Sequence, residues 1–185
     1  LEAALRPDTT LVSVMFVNNE IGVIQDVAAI GRLCRSRGIL FHVDAAQATG
    51  KVVIDLATLP VDLMSLSAHK IGGPKGVGAL VIRDGAGLPA FIAGGGQERR
   101  RRAGTENVPA IAGLGVAARA AARDVEAMDR IRALRDRVEA EVLASPAAAL
   151  ERGLEAAGED ELVLVTGSLY VVGAARTAYR ALRGE

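Results

Sequence analysis

Apolar positions along the first half of this chain switch between the two-residue period of strands and the 3.6-residue period of helices. Residues 11–17 (LVSVMFV) form an apolar, partly β-branched run of strand length. The polar turn NNEIG follows. Asp26 then stands as an N-cap for VAAIGRLCRSR, with Gly38 at C′. Val27, Ile30, Leu33 and Cys34 fall on one face of that helix. ILFHVDAA, residues 39–46, predicts a second strand. Strand, helix and strand in so short a span predict a βαβ unit, and hence an α/β fold with a mostly parallel sheet.

Further on, residues 62–67 and 78–83 read as short strands around the Gly/Pro/Lys-rich loop AHKIGGPKGV. GAGLP and AGGGQERRRRAGTEN read as loops. A helical pattern runs from about Val108 to Ala144, with a break at Asp124. Residues 161–165 (ELVLV) predict a strand, TGS a turn, and the last amphipathic stretch a helix to about Arg183. No internal repeat is present.

Composition narrows the function. The 185 residues suit one ordinary domain or two small ones, and half of them are apolar, so a core can form. Basic and acidic residues number 22 each. Zero formal net charge with 3% aromatics argues against nucleic acid, even beside the run Arg99–Arg102. A single cysteine, Cys34, and two histidines, His42 and His69, exclude a disulfide framework and argue against a Cys- or His-rich metal centre, so no metal is expected. No apolar run reaches membrane-spanning length and no signal peptide opens the chain, so a soluble, cytoplasmic protein is expected, with no membrane partner. LEAALRPDTTLVSV reads as the end of a helix entering a strand, as though the N-terminus continued a longer chain.

Only three lysines occur, Lys51, Lys70 and Lys75, so a lysine-dependent chemistry has few candidates. Asp44 falls at the C-terminal end of a predicted strand, where open α/β sheets bind ligands. Among small apolar neighbours it needs a cation or hydrogen-bond donors. Ser67, His69 and Lys70 follow a second strand beside the Gly-rich loop, a setting for phosphate. Pyridoxal phosphate requires this kind of set: a lysine for the Schiff base, a carboxylate for the ring nitrogen, a donor to the 3-oxygen, and phosphate donors. Asp44, Gln47, Ser67, His69 and Lys70 fit those needs, although spacing alone leaves open Asp44 as a helix cap and Lys70 on a surface turn. Lys51 and Lys75 read as exposed. His42 shares a strand face with Asp44 and reads as a packed or supporting histidine rather than a base. Cys34, beside Ile30 and Leu33, reads as a buried, inert thiol.

Four motifs in order, VNNEIGVIQD, FHVDAAQATGKVVID, VDLMSLSAHKIGGPKGVGALVIR and GGGQERRRRAGTENVPAIAGLG, resemble the class V aminotransferase-like, pyridoxal-phosphate-dependent cysteine desulfurases. The resemblance covers about residues 5–143. It implies an incomplete large domain of the fold type I transferases over residues 1–144. Lys70 would then be the Schiff-base lysine, Asp44 the partner of the pyridine nitrogen, and Gln47 the donor to the 3-oxygen. Asn19 would face cofactor and substrate carboxylate, Ser67 and His69 would hold the phosphate, and Thr105 would reach a neighbouring subunit's phosphate across a homodimer. Arg102 is a candidate for a substrate carboxylate, and a solvated loop remains the alternative for Arg99, Arg100 and Arg101. The implied reaction converts L-cysteine to L-alanine and passes sulfur through a cysteine persulfide to an acceptor protein, for iron–sulfur cluster or thio-cofactor synthesis. Another class V activity, such as a selenocysteine lyase or an aminotransferase, is the alternative.

The pattern breaks after Leu143. The family's Ser/Gly/Ala-rich loop with a catalytic cysteine, its N-terminal phosphate turn and its ring-stacking histidine have no counterpart here. Residues 145–185 (SPAAALERGLEAAGEDELVLVTGSLYVVGAAR and beyond) instead resemble the C-terminal strand-turn-helix of folylpolyglutamate synthases. The chain is therefore expected to be inactive alone, a non-catalytic fragment that binds pyridoxal phosphate or dimerises, or an unstable piece.

Overall fold

The structure, a computed structural model, describes residues 1–136, 145–158, 163, 165 and 169–184. Two compact units are present, Leu1–Ala133 and Leu134–Glu185.

The first unit is built on a four-stranded sheet in the order β1 (Leu11–Met15), β2 (Leu40–Asp44), β3 (Leu63–Ser67), β4 (Gly78–Ile82). β1, β2 and β3 are mutually parallel, as the βαβ pattern predicts, and β4 is antiparallel to β3. The β3–β4 connection is too short for a parallel crossover, which takes about a dozen residues or more, so the chain must turn back. Both early strands end sooner than their apolar runs. Phe16 N still bonds Asp44 O (2.9 Å), but from Val17 the chain leaves β2 and bridges to Ile24 across the NNEIG turn. β2 stops at Asp44 because Ala45–Val52 coils into helical turns, with Thr49 N on Ala45 O and Val52 N on Ala48 O.

One sheet face is apolar and holds the core. Val12, Phe41, Val43 and Met64 pack against Val27 and Cys34 of α1 (Val27–Ser36), with Phe41, Val43 and Cys34 fully buried. The α1 boundaries follow the caps read from sequence. Asp26 Oδ1 accepts from Ala29 N at 2.8 Å, and Gly38 takes the left-handed conformation (φ 66°) that ends the helix.

α3 (Val108–Asp124) is capped by Asn107, whose Oδ1 accepts from Ala110 N at 3.2 Å. The break at Asp124 is a 3-10 turn, Val125–Ala127, before α4 (Met128–Asp136). The rest of the expected helix, residues 137–144, lies outside the described residues. α3 buries Ala110, Ala117 and Ala121 in one stripe. A Cβ on Gly73 would come within 3.1 Å of Ala117 Cβ, so the absence of a side chain there eases the close approach of the helix to the turn that follows β3.

The stretch read as a loop contains α2 (Gln97–Arg100), a single turn in which Glu98, Arg99 and Arg100 have φ of 47°, 56° and 63°. Three successive side-chain-bearing residues in left-handed geometry have no sequence signal, because that conformation is intrinsically disfavoured.

In the second unit, α5 (Pro146–Ala156) packs on α6 (Leu169–Arg183), burying Leu150 and Ala175. α6 matches the expected last helix. The hydrophobic pattern did not predict α5, although Ser145 caps Ala148 N (3.2 Å) and Pro146 opens the first turn, a recognisable start signal. The strand expected over 161–165 and the TGS turn at 166–168 lie largely outside the described residues. Among the described residues no helix is long and apolar enough to cross a membrane.

Candidate functional site

The parallel strands bring their C-terminal ends to one edge of the sheet, and most of the residues singled out from sequence gather there. Asp44 closes β2, and Gln47 stands on the helical turn after it. Ser67 closes β3, and His69 and Lys70 lie on the 3-10 turn Ala68–Ile71. Asn19 follows β1 in the adjoining turn.

Few of these side chains are used by the protein itself. Asp44 Oδ1 accepts from Ala46 N at 2.9 Å, which fixes the carboxylate at the strand end, and Oδ2 has no hydrogen-bond partner among the described residues. Asp44 is therefore an Asx-type anchor and not the cap of a long helix. Ser67 occupies the cap position of the 3-10 turn but its hydroxyl does not cap it. Gln47, His69 and Lys70 make no side-chain hydrogen bond among the described residues, and His69 and Lys70 are exposed. Ala45, Ala48 and Ala68 are fully buried directly beside them. Small apolar residues thus anchor the backbone while polar neighbours point outward.

The two asparagines of the NNE turn divide their work. Asn18 Oδ1 accepts from Glu20 N (2.9 Å) and Ile21 N (3.0 Å), shaping the turn. Asn19 is exposed, its Nδ2 donating to Glu20 Oε1 at 2.9 Å. Arg102 and Thr105 stand exposed on the segment leading to α3, tied down by Ala103 N on Ile92 O (3.0 Å). No hydrogen bond links either side chain to the sheet-end group among the described residues. Lys51 and Lys75 are exposed, as expected.

Cys34 is fully buried on α1. Burial pushes its thiol pKa up, and the negative charge of Asp62 adds to the rise. It faces the core, and both burial and the raised pKa disfavour the thiolate that reacts. Among the described residues no group of His, Cys, Asp and Glu could hold a metal.

Sequence reasoning missed a second polar row. His42 Nδ1 lies 2.8 Å from Ser13 Oγ and His42 Nε2 lies 3.2 Å from Ser65 Oγ. The available signal was polar residues at every second position, Ser13 in β1, His42 and Asp44 in β2, Ser65 and Ser67 in β3, marking one sheet face as polar.

A family profile described as Aminotransferase class-V matches residues 1–158. The chain belongs to the class-V aminotransferase family. This is a family of pyridoxal-phosphate-dependent enzymes, and the relatives of this class-V chain lie among the cysteine desulfurases. The cysteine desulfurase IscS of Pectobacterium atrosepticum is 60% identical over 141 residues, which cover 75% of this chain and 35% of that protein. A solved NifS-like protein superposes with a TM-score of 0.70 at 41% identity, over 83% of this chain and 40% of the other. A structure titled SspA in complex with cysteine gives a TM-score of 0.61 at 47% identity, over 64% and 35%. The class-V chain thus spans about a third of the length of the curated relatives it matches. Together with the mixed, mostly parallel sheet, these neighbours make the first unit a partial fold type I domain.

Proposed function

We propose that this chain carries the cofactor-binding part of a cysteine desulfurase, a pyridoxal-phosphate enzyme that converts L-cysteine to L-alanine and passes the sulfur on as a persulfide. The observation that carries this reading is the set of side chains at the ends of β2 and β3 that the protein leaves unspent. Their chemistry fits the cofactor group by group. Asp44 offers a free carboxylate oxygen suited to a protonated ring nitrogen, and Gln47 an amide donor suited to the 3-oxygen. Ser67 and His69 offer a hydroxyl and an imidazole for the phosphate, and Lys70 an exposed amine for the aldehyde. When bound, the cofactor supplies an electron sink for the bonds at the substrate's Cα.

The chain's own residues have defined tasks in this reading. Lys70 would hold the cofactor through its amine and, once freed, would move the proton at the substrate's Cα. Asp44 keeps the ring nitrogen protonated. Asn19 faces the substrate carboxylate, with Arg102 a second anchor for it, and Thr105 serves the phosphate of a neighbouring copy in a homodimer. An acceptor protein receives the sulfur. A cytoplasmic setting suits the single free thiol.

A second reading, cofactor binding without sulfur release by this chain alone, is favoured by Cys34. It is the only cysteine in the sequence, it is buried, and its raised pKa disfavours thiolate. Sulfur transfer needs a thiolate aligned on the substrate sulfur, and Cys34 does not supply one. Both readings are tested together. Purified protein is loaded with pyridoxal phosphate, reduced with borohydride and mapped by mass spectrometry, then incubated unreduced with L-cysteine while alanine and persulfide are measured. A label on Lys70 is expected. A label on Lys51 or Lys75, or none, overturns the cofactor site. A persulfide on Cys34 overturns the second reading.

A further inference from the structure

His42 is a titratable side chain on the polar sheet face that the tasks above leave unused. It precedes Asp44 by two residues on β2, so the two side chains share that face. Its ring spans three strands, with Nδ1 at 2.8 Å from Ser13 Oγ of β1 and Nε2 at 3.2 Å from Ser65 Oγ of β3. Ser65 is also the register partner of Asp44, and its carbonyl accepts from Ala45 N, the residue after Asp44, at 2.9 Å. The histidine is therefore fastened to the same residue that flanks the carboxylate and holds the backbone beyond it. A sheet face needing only cover would be served by Val or Ile at these places. A histidine with both nitrogens occupied fixes its ring in rotation and height, because each hydroxyl can donate or accept as the tautomer requires.

We propose that His42 is a positioning residue for Asp44. Bound to Ser13 and Ser65, it locks β2 between its neighbours and sets the carboxylate where the cofactor's ring nitrogen meets it. This rests on the reading of Asp44 as the partner of that nitrogen.

The test compares the affinity of the cofactor-free chain for pyridoxal phosphate with its affinity for 1-deazapyridoxal phosphate, which has carbon in place of the ring nitrogen. His42→Leu is expected to weaken pyridoxal phosphate by about tenfold while changing the deaza compound by less than about twofold, the loss of one charge-assisted contact. His42→Gln, which keeps a donor and an acceptor, should restore most of the difference. The double variant Ser13→Ala, Ser65→Ala should reproduce the selective loss with the ring intact, and serves if His42→Leu does not fold. Equal losses for both compounds, or none for either, overturn the proposal, because a merely structural histidine would not distinguish them. Asp44→Asn separates the two levels. If it abolishes the preference for the ring nitrogen while the His42 and serine variants do not, only the positioning role fails. If the parent chain shows no such preference, or Asp44→Asn leaves it intact, the Asp44 reading itself fails.

Discussion

At the end of the sheet where β2 and β3 begin, charged side chains are consumed by the backbone. Asp62 Oδ2 accepts from Phe41 N at 2.9 Å. The Arg83 guanidinium donates to Leu59 O at 2.5 Å, Val61 O at 2.7 Å and Leu56 O at 3.4 Å, tying down the loop that enters β3. At the opposite end, Asp44, Gln47, Ser67, His69 and Lys70 stand at the strand ends or on the turns just after them and are almost entirely unspent among the described residues. Residue type alone does not separate structure from function here. What separates them is whether the protein satisfies the group itself. A satisfied charge stabilises the fold, and an unsatisfied one at a solvent-facing strand end is available to a ligand.

Substitutions at the two ends should therefore split cleanly, and the largest effect is expected at the end proposed to hold the cofactor. Lys70→Ala should abolish borohydride-trapped cofactor entirely while leaving the melting temperature near that of the parent; Lys51→Ala and Lys75→Ala should retain the label. A Lys70 variant that also unfolds the protein would break the comparison. Next comes Arg83→Ala, which strips three backbone carbonyls of a charged donor. It should cost about 2–3 kcal/mol in denaturant unfolding, with cofactor affinity of the folded protein unchanged. Asp44→Asn should do the reverse, weakening pyridoxal phosphate by about tenfold, the worth of one charge-assisted contact, with little change in unfolding midpoint.

The smallest effect concerns Cys34, which connects the core to the satisfied end through Asp62. Burial first, and the Asp62 charge second, raise its thiol pKa in the folded state. The unfolded chain therefore loses this proton at lower pH than the folded one. Stability from this group is intact below the ordinary thiol range and declines as pH rises above about 8.5. Urea midpoints across that range should fall in the parent and fall less in Cys34→Ala; identical slopes would remove Cys34 as the cause. Alkylation by iodoacetamide should be slow until the protein unfolds.

Much of this contrast was legible in the sequence. The βαβ unit follows from period-two and period-3.6 patterning, and the α1 caps from Asp26 and Gly38. The candidate sheet-end group follows from a carboxylate at the end of one strand and a lysine just after another. What the sequence hid were relations across strands. Nothing local pairs Ser13 with His42 and Ser65, because their contact depends on sheet register. Nothing local marks Arg83 as the tie of the loop that enters β3. The turn Glu98–Arg100 runs against intrinsic preference, so no propensity argument reaches it. α5 was missed for a different reason: an alanine-rich stretch shows little periodic contrast, and its cap was the only sign.

The antiparallel placement of β4 also sets an order in time. β3 and β4 pair residues near in sequence, Ser67 with Gly78 closest to the turn, whereas β1 and β2 meet only after the chain has travelled through α1. Short loops close faster than long ones, and parallel pairing waits for its crossover. The hairpin bearing Lys70 is thus expected to gain amide protection before β1 joins β2 in pulse-labelled hydrogen exchange. The amine would be held in its turn while the strand that carries the carboxylate was still finding its neighbours.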